Sequence, residues 1–324
     1  MKVAVVGAGA IGGWMGVKLA QAGCELGVLA RGATLQALRE RGLTLHAPDG
    51  TATVPAHAGA DARELGAQDL VIIAVKVPAM AAVAAAIGPL LGPSTIVLTA
   101  MNGVPWWFFE GFGGRLAGTR LEAVDRDGGI GRAIPAHHVV GCVVHASCSL
   151  DAPGVARHHF GGKLIVGEPA GGKTERVRRL ATLLERAGFE TVLSEQIQKD
   201  IWFKLWGNMT INPVSALTGA TSDLILKDDL VRDFVSSVML EAREIGGRIG
   251  LPIEQQPQDR HQVTLKLGAF KTSMLQDVEA GKPVELDALV GVVRELGELA
   301  GVATPFTDAL FGLARLHARV RGLY

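Results

Sequence analysis

The chain has 324 residues, enough for two domains, since a self-sufficient core needs roughly 150 residues or fewer. Its 32 basic and 32 acidic residues cancel, so no whole-protein field draws nucleic acid or an acidic membrane surface, and small neutral or singly charged ligands are the expected partners. Cys24, Cys142 and Cys148 lack CxxC spacing, which argues against a disulfide framework or thiolate metal site and for a reducing, cytoplasmic compartment.

KVAVV, Lys2 to Val6, is β-branched and reads as a strand buried on both faces. GAGAIG follows at once. Gly7 permits a tight turn, Gly9 lets backbone amides approach a pyrophosphate, and Gly12 lets the next helix pack on the strand, with Ala10 and Ile11 between them at the start of that helix. These glycines break the apolar run, so the segment is neither a signal peptide nor a membrane span, and no other window is apolar for about 20 residues. A second strand, Leu26 to Leu29, completes the setting for dinucleotide binding. An NAD-type fold places a carboxylate on the ribose 2′-hydroxyl at that point. Here Ala30-Arg31 stands instead, and a guanidinium able to bind a 2′-phosphate through two hydrogen bonds makes NADPH/NADP+ the expected cofactor. The alternative is a surface arginine capping the sheet edge.

A helix near Thr34 to Arg41 and a hairpin turning at Asp49-Gly50 come next. DLVIIAVK and TIVLTAMNG read as buried strands ending at the polar residues Lys76 and Asn102. Ligands of open α/β sheets bind outside the carboxyl ends of strands, so both residues should border the nicotinamide and its ribose, unless each only caps a loop. WWFFEGF is too aromatic for a free loop and should cover a cleft or an interface; Trp106 to Phe109 are candidates for a homodimer contact. Val139 to Ala146 is a strand, and VARHHFGGKLIVGE reads as a hairpin around Gly161-Gly162. The pairs His137-His138 and His158-His159 have no Asp, Glu or Cys at ligand spacing, so no metal is expected.

An amphipathic helix from Lys173 to Ala187 and the strand FETVLS end the β-patterned sequence near Ser194. From Glu195 the pattern is helical: Lys199 to Val214, Asp229 to Ile249, His261 to Lys266 and Glu285 to Ala300. The expected fold is α/β, with an N-terminal Rossmann-type doubly wound sheet in an NADP-binding domain, residues 1–194. An all-helical C-terminal domain, residues 195–324, is expected to carry substrate binding and catalysis, with a cleft between the two.

KDIWFKLWGNMTINPV carries Lys204, Asn208 and Asn212 at i, i+4 and i+8 among tryptophans and leucines. Residues four apart share a helix face, so one cation and two amides form a polar stripe in apolar company, either a site or an ordinary exposed edge. SMLQD, from Ser273, and GKPVELD, which places Glu285 at a helix start, belong to the same half; a carboxylate there is also favoured by the helix dipole.

Taken in order, GAGAIG, Lys76, Asn102-Gly103, the K-x-x-x-N-x-x-x-N-P run from Lys204 to Pro213, SMLQD and the E-x-D of Glu285 to Asp287 resemble the ketopantoate reductase family over nearly the whole chain. The resemblance implies an N-terminal Rossmann domain for NADPH, a helical domain for a small-molecule 2-oxo acid, and reduction of 2-dehydropantoate to (R)-pantoate. It implies Lys204 as the catalytic lysine and Glu285 as its partner, Asn208, Asn212 and Ser273 as substrate-binding residues, and Arg31, Lys76 and Asn102 as cofactor-side residues. Residues 105–135 look like an insertion relative to compact members, and Phe270 stands where some members have an asparagine. A related reductase of another 2-oxo acid, and a non-catalytic NADP-binding sensor, are the competing expectations.

Overall fold

The computed structural model describes residues 1–266 and 268–324. Among them ten strands form one sheet: β1 (Lys2–Val6), β2 (Glu25–Leu29), β3 (Leu43–Ala47), β4 (Gly50–Val54), β5 (His57–Gly59), β6 (Gln68–Ile73), β7 (Leu91–Thr99), β8 (Val139–Ala152), β9 (Val155–Gly167) and β10 (Glu190–Leu193). The order is β4-β3-β9-β8-β7-β6-β1-β2-β5, with β10 on β9. Within it β5-β2-β1-β6-β7-β8 is parallel throughout, the strand order of a doubly wound dinucleotide-binding sheet, whose direction of winding reverses between β1 and β6. The expected Rossmann-type architecture is therefore present. Strands at its centre are continuous apolar runs because helices and loops cover both faces: Val3, Ala4, Val5, Leu70, Val71 and Ile72 are fully buried. Helix Ala10–Gln21 supplies one cover through Trp14, Met15, Val17 and Leu19, also fully buried.

The chain divides into two compact units. Unit 1 comprises Met1–Met101 and Asp127–Asp200; unit 2 comprises Asn102–Arg126 and Ile201–Tyr324. The sequence-based division at residue 194 treats the first domain as continuous, whereas residues 102–126 pack with the helical unit. Burial of the aromatic run explains the difference. Trp107, Phe108 and Phe109 are at most 1% exposed and Trp106 is 8% exposed, so these four side chains are core of unit 2 and not a surface for a partner. The Glu295 carboxylate, in helix Val292–Ala300, accepts from the backbone N–H groups of Glu122 and Ala123 at 2.7 and 2.9 Å and anchors the same segment.

Two further differences have local causes. The hairpin expected at Gly161-Gly162 turns at Pro153-Gly154, where Gly154 has φ +77° and follows proline, as a type II turn requires. Gly162 is instead the unpaired residue of a bulge in β9, between the pairs His145–Lys163 and Ala146–Gly161. Helices Met80–Ala86, Ser222–Lys227, Ser273–Glu279 and Pro305–Val320 were not among the expected elements. The paired histidines have other occupations: His158 stacks on Trp14, His159 shares a hydrogen bond with Ser149, and His138 with the Thr95 carbonyl. No helix among the described residues is long and apolar enough to cross a membrane.

His261, 4% exposed in unit 2, has a buried Nε2 without a hydrogen-bond partner. Burial, followed by the charge of Arg232, holds its pKa below the ordinary histidine value. An unfolded histidine takes up its proton near pH ~6.5 while the folded one resists, so stability is level above that pH and is lost as pH falls below it. The slope of urea-derived stability between about pH 6.5 and about pH 5 should therefore be smaller in His261→Gln than in the unaltered chain; equal slopes would remove His261 from the account.

Candidate active site

In unit 1, β1 ends at Val6 and the chain turns from Gly7 into helix Ala10–Gln21 with Gly9 as its N-cap. Gly7 has φ +96°, and a Cβ there would lie 2.6 Å from Val75 Cγ1. A Cβ on Gly12 would lie 2.1 Å from the Gly7 carbonyl oxygen, so both positions exclude any side chain. Gly9 differs: its Cβ would meet nothing within 4 Å. The space before it belongs to a groove of about 360 Å³ lined by Gly7, Ala8, Gly9, Ala30, Arg31 and Thr34, among others. The first N–H groups of the helix, at Ala10 and Ile11, have no carbonyl partner within the helix and carry its positive dipole end, which is the chemistry of a phosphate cradle.

Arg31 is exposed, extended at φ −135° and ψ 163°, and precedes helix Gly32–Arg41. It lies on the same groove as Gly9, as a pyrophosphate and a 2′-phosphate on one ligand require. Ala30 beside it offers no side-chain acceptor. Lys76 is half-buried just beyond β6, next to the groove residue Val75. Two walls went unforeseen in the sequence. One is the alanine-rich face Ala79, Ala82, Val83 and Ala86; the other is Leu150, brought in by β8. The first has a signal in the sequence, a Pro-Ala-Met-Ala-Ala run suited to a helix start, whereas the second depends on strand pairing.

Helix Ile197–Thr218, which belongs to unit 2 from Ile201 onward, spans the whole stretch that carries the polar stripe. Its apolar sides are firmly packed. Trp202, Leu205, Trp206 and Met209 are at most 2% exposed, and Trp206 Nε1 donates to the Met239 carbonyl at 2.7 Å. Lys204 and Asn208 are half-buried and Asn212 is 6% exposed, so the three residues do not form an ordinary solvated edge. Lys204 Nζ donates to Asn102 Oδ1 at 2.8 Å. Asn102, expected at the end of a strand on the cofactor side, stands three residues beyond β7 and belongs to unit 2.

The Asn102 loop is fixed from the other side as well. Val104 N–H donates to the Ala288 carbonyl at 3.0 Å, and Gly103 has φ +81° with its backbone against Ala288. Ala288 lies in a π-helical turn, Asp287–Gly291, immediately before helix Val292–Ala300. Glu285 opens this element: its carbonyl accepts from Leu289 N–H at 3.2 Å, and its side chain is half-buried. Turns of this kind displace the helix face by one residue and recur at functional sites. Asp287 is held by the Tyr324 hydroxyl at 2.8 Å, a contact from the last residue of the chain; this hydrogen bond and burial push the tyrosine pKa up to about 12, burial being the larger cause. Lys204, Asn102 and the start of the Glu285 segment are thus linked through two hydrogen bonds. Ser273 is exposed at the first position of helix Ser273–Glu279, behind the Thr272 cap.

The hydrogen bond to Asn102 fixes where the Lys204 amine points. Such a group can stabilise negative charge developing on a ligand oxygen and give that oxygen a proton.

Comparison with known proteins places the chain in a family. Residues 3–107 match the family described as ketopantoate reductase PanE/ApbA, and residues 196–318 match its C-terminal domain. A 2-dehydropantoate 2-reductase of Mesorhizobium japonicum is 45% identical over 325 residues, covering 100% of both chains. The crystal structure of a Ralstonia solanacearum relative, 57% identical, superposes with a TM-score of 0.97 over 100% of this chain and 99% of the other. A PanE/ApbA family ketopantoate reductase from Ralstonia eutropha, 26% identical, gives 0.85 over 99% and 100%. The chain belongs to the ketopantoate reductase family.

Proposed function

We propose that the protein is an NADPH-dependent 2-dehydropantoate 2-reductase that converts ketopantoate to (R)-pantoate, a precursor of pantothenate and coenzyme A. The observation that carries this reading is the Lys204 ammonium, half-buried on a packed helix and aimed by the neutral Asn102 oxygen. A nicotinamide cofactor, when bound, supplies the hydride that reduces the ketone carbon. The residues of unit 1 fit such a group: Gly7, Gly9, Ala10, Ile11 and Gly12 form the pyrophosphate cradle, Arg31 takes the 2′-phosphate, and Lys76 lies toward the nicotinamide end. Lys204 gives its proton to the carbonyl oxygen, so that the C=O double bond becomes H–C–O–H with the added hydride. Asn208 and Asn212, one and two turns along the helix, orient the oxo acid through neutral hydrogen bonds, and Ser273 adds a hydroxyl. Glu285 counters the loss of charge that burial imposes on the lysine and helps to anchor the substrate. Cytoplasmic placement and assembly as a homodimer belong to the same proposal.

Steady-state turnover with NADPH and a panel of 2-oxo acids tests it, with ketopantoate expected to give the highest kcat/KM. Phe270, which stands where some members have an asparagine, favours a second reading, reduction of a bulkier oxo acid. Turnover of such an acid without turnover of ketopantoate would establish that reading instead.

Arg31→Ala should weaken NADPH binding by roughly 10- to 100-fold, the range for losing hydrogen bonds to a charged group, and leave NADH affinity nearly unchanged. Titration of both cofactors against both proteins measures this. If the unaltered protein binds the two equally, Arg31 has no part in cofactor choice.

A further inference from the structure

Arg260, in helix Pro257–Leu265 of unit 2, sets its guanidinium against the helix that carries Lys204. Its Cζ stands 5.3 Å from the centroid of the Phe203 ring. A Cβ on Gly207 would come within 2.8 Å of Arg260 Nε and 3.1 Å of Nη2, so the missing side chain is the space the guanidinium fills. Gly207 lies three residues past Lys204, about 60° around the helix axis and less than one turn along it. Arg260 therefore stands on the Phe203 and Gly207 side of Lys204, opposite to the side on which Asn208 and Asn212 follow.

The charge at this position is not balanced. Arg260 Nε is buried without a hydrogen-bond partner, and no carboxylate among the described residues pairs with the guanidinium. Burial lowers its basicity. An aromatic face offsets only part of the lost hydration of a cation, and a desolvated charge without a counter-charge destabilises a fold unless an anion arrives. The planar fork of arginine matches a carboxylate through two parallel hydrogen bonds. Lys204 is already directed to the reacting carbonyl oxygen, and the remaining members of the stripe are neutral amides.

We infer that Arg260 is a specificity-determining residue that binds the carboxylate of the 2-oxo acid, leaving the adjacent ketone oxygen to Lys204. This rests on the reductase reading above. The pairing separates 2-oxo acids from ketones and aldehydes of similar bulk, because an uncharged substrate leaves the guanidinium uncompensated.

Arg260→Met keeps an unbranched apolar chain on Phe203 and removes the charged fork. KM for the preferred 2-oxo acid should rise by roughly 10- to 100-fold, with kcat within a few-fold and NADPH affinity unchanged. The methyl ester of the same acid, which lacks the charge, should show the same kcat/KM with both proteins. Arg260→Lys, which keeps the charge without the fork, should recover part of the loss and serves as the test if the methionine variant does not fold. An unshifted KM for the acid, or an equal loss with acid and ester, would make Arg260 only a clamp between two helices. That outcome leaves the reductase reading standing, whereas no turnover of any 2-oxo acid by the unaltered protein overturns both.

Discussion

Lys204→Ala is expected to lower kcat by roughly 10²–10⁴, the range for removal of a positioned proton donor, with NADPH affinity nearly unchanged. Reduction of a ketone builds negative charge on its oxygen as hydride arrives, and an ammonium beside that oxygen acts only then with full effect. Asn102 Oδ1, 2.8 Å from Lys204 Nζ, holds the lysine amine in place. Alanine is the best helix former, so the substitution leaves helix Ile197–Thr218 intact. Loss of rate should then be separable from loss of structure. The unaltered enzyme should also lose kcat on the alkaline side as the ammonium is titrated, and the residual rate of the variant should lack that limb. Lys204→Arg retains the charge but gives up its proton far less readily, so it should recover only part of the rate. Turnover of Lys204→Ala within a few-fold of the unaltered enzyme, where chemistry limits the rate, would return Lys204 to an edge residue.

The parts of this arrangement that were legible in the sequence are those whose causes are local. Strand β1, the glycine turn and helix Ala10–Gln21 follow one another within 21 residues, and each glycine role is set by its immediate neighbours. Arg31 falls on the same groove because β2 runs parallel to β1 in register, Val6 opposite Leu29. The stripe of Lys204, Asn208 and Asn212 needed only the helical repeat. What was not legible depends on pairings distant in sequence. Asn102 meets Lys204 across 102 residues. The N-terminus of helix Pro305–Val320 is capped by Glu241, which accepts from Phe306 and Thr307 N–H at 2.9 and 2.8 Å from more than 60 residues upstream. WWFFEGF announced burial but not which unit it enters, since the faces it fills belong to helices far along the chain. Arg260 carried no local pattern at all, and only its position over Gly207 and Phe203 distinguishes it from a surface arginine.

Gly103→Ala should be among the most damaging single-methyl additions in unit 2, although the residue touches no ligand in the proposed mechanism. Gly103 has φ +81°, and a Cβ there would stand 2.4 Å from the Ala288 carbonyl oxygen and 2.8 Å from its carbonyl carbon. Both are backbone atoms of the π-helical turn Asp287–Gly291, so no rotamer change relieves the contact. Forcing alanine into this conformation and displacing the turn together should destabilise the unit by about 2–4 kcal/mol. Gly301 provides the comparison: it has φ +68° and a Cβ there would meet nothing within 4 Å, so Gly301→Ala should lose only the conformational share, about 1–2 kcal/mol. The excess at Gly103 measures the contact. Its consequence reaches the site, because moving Gly103 off Ala288 breaks the Val104 hydrogen bond and shifts Asn102 away from Lys204. Gly103→Ala should therefore lower kcat as well as the urea midpoint, while cofactor affinity, which rests on unit 1, stays the same. Ala288→Gly in the same chain should restore little, since it removes a side chain and leaves the obstructing carbonyl in place. Full rescue by that second change, or equal loss at Gly103 and Gly301, would show that the Ala288 backbone does not hold the Asn102 loop.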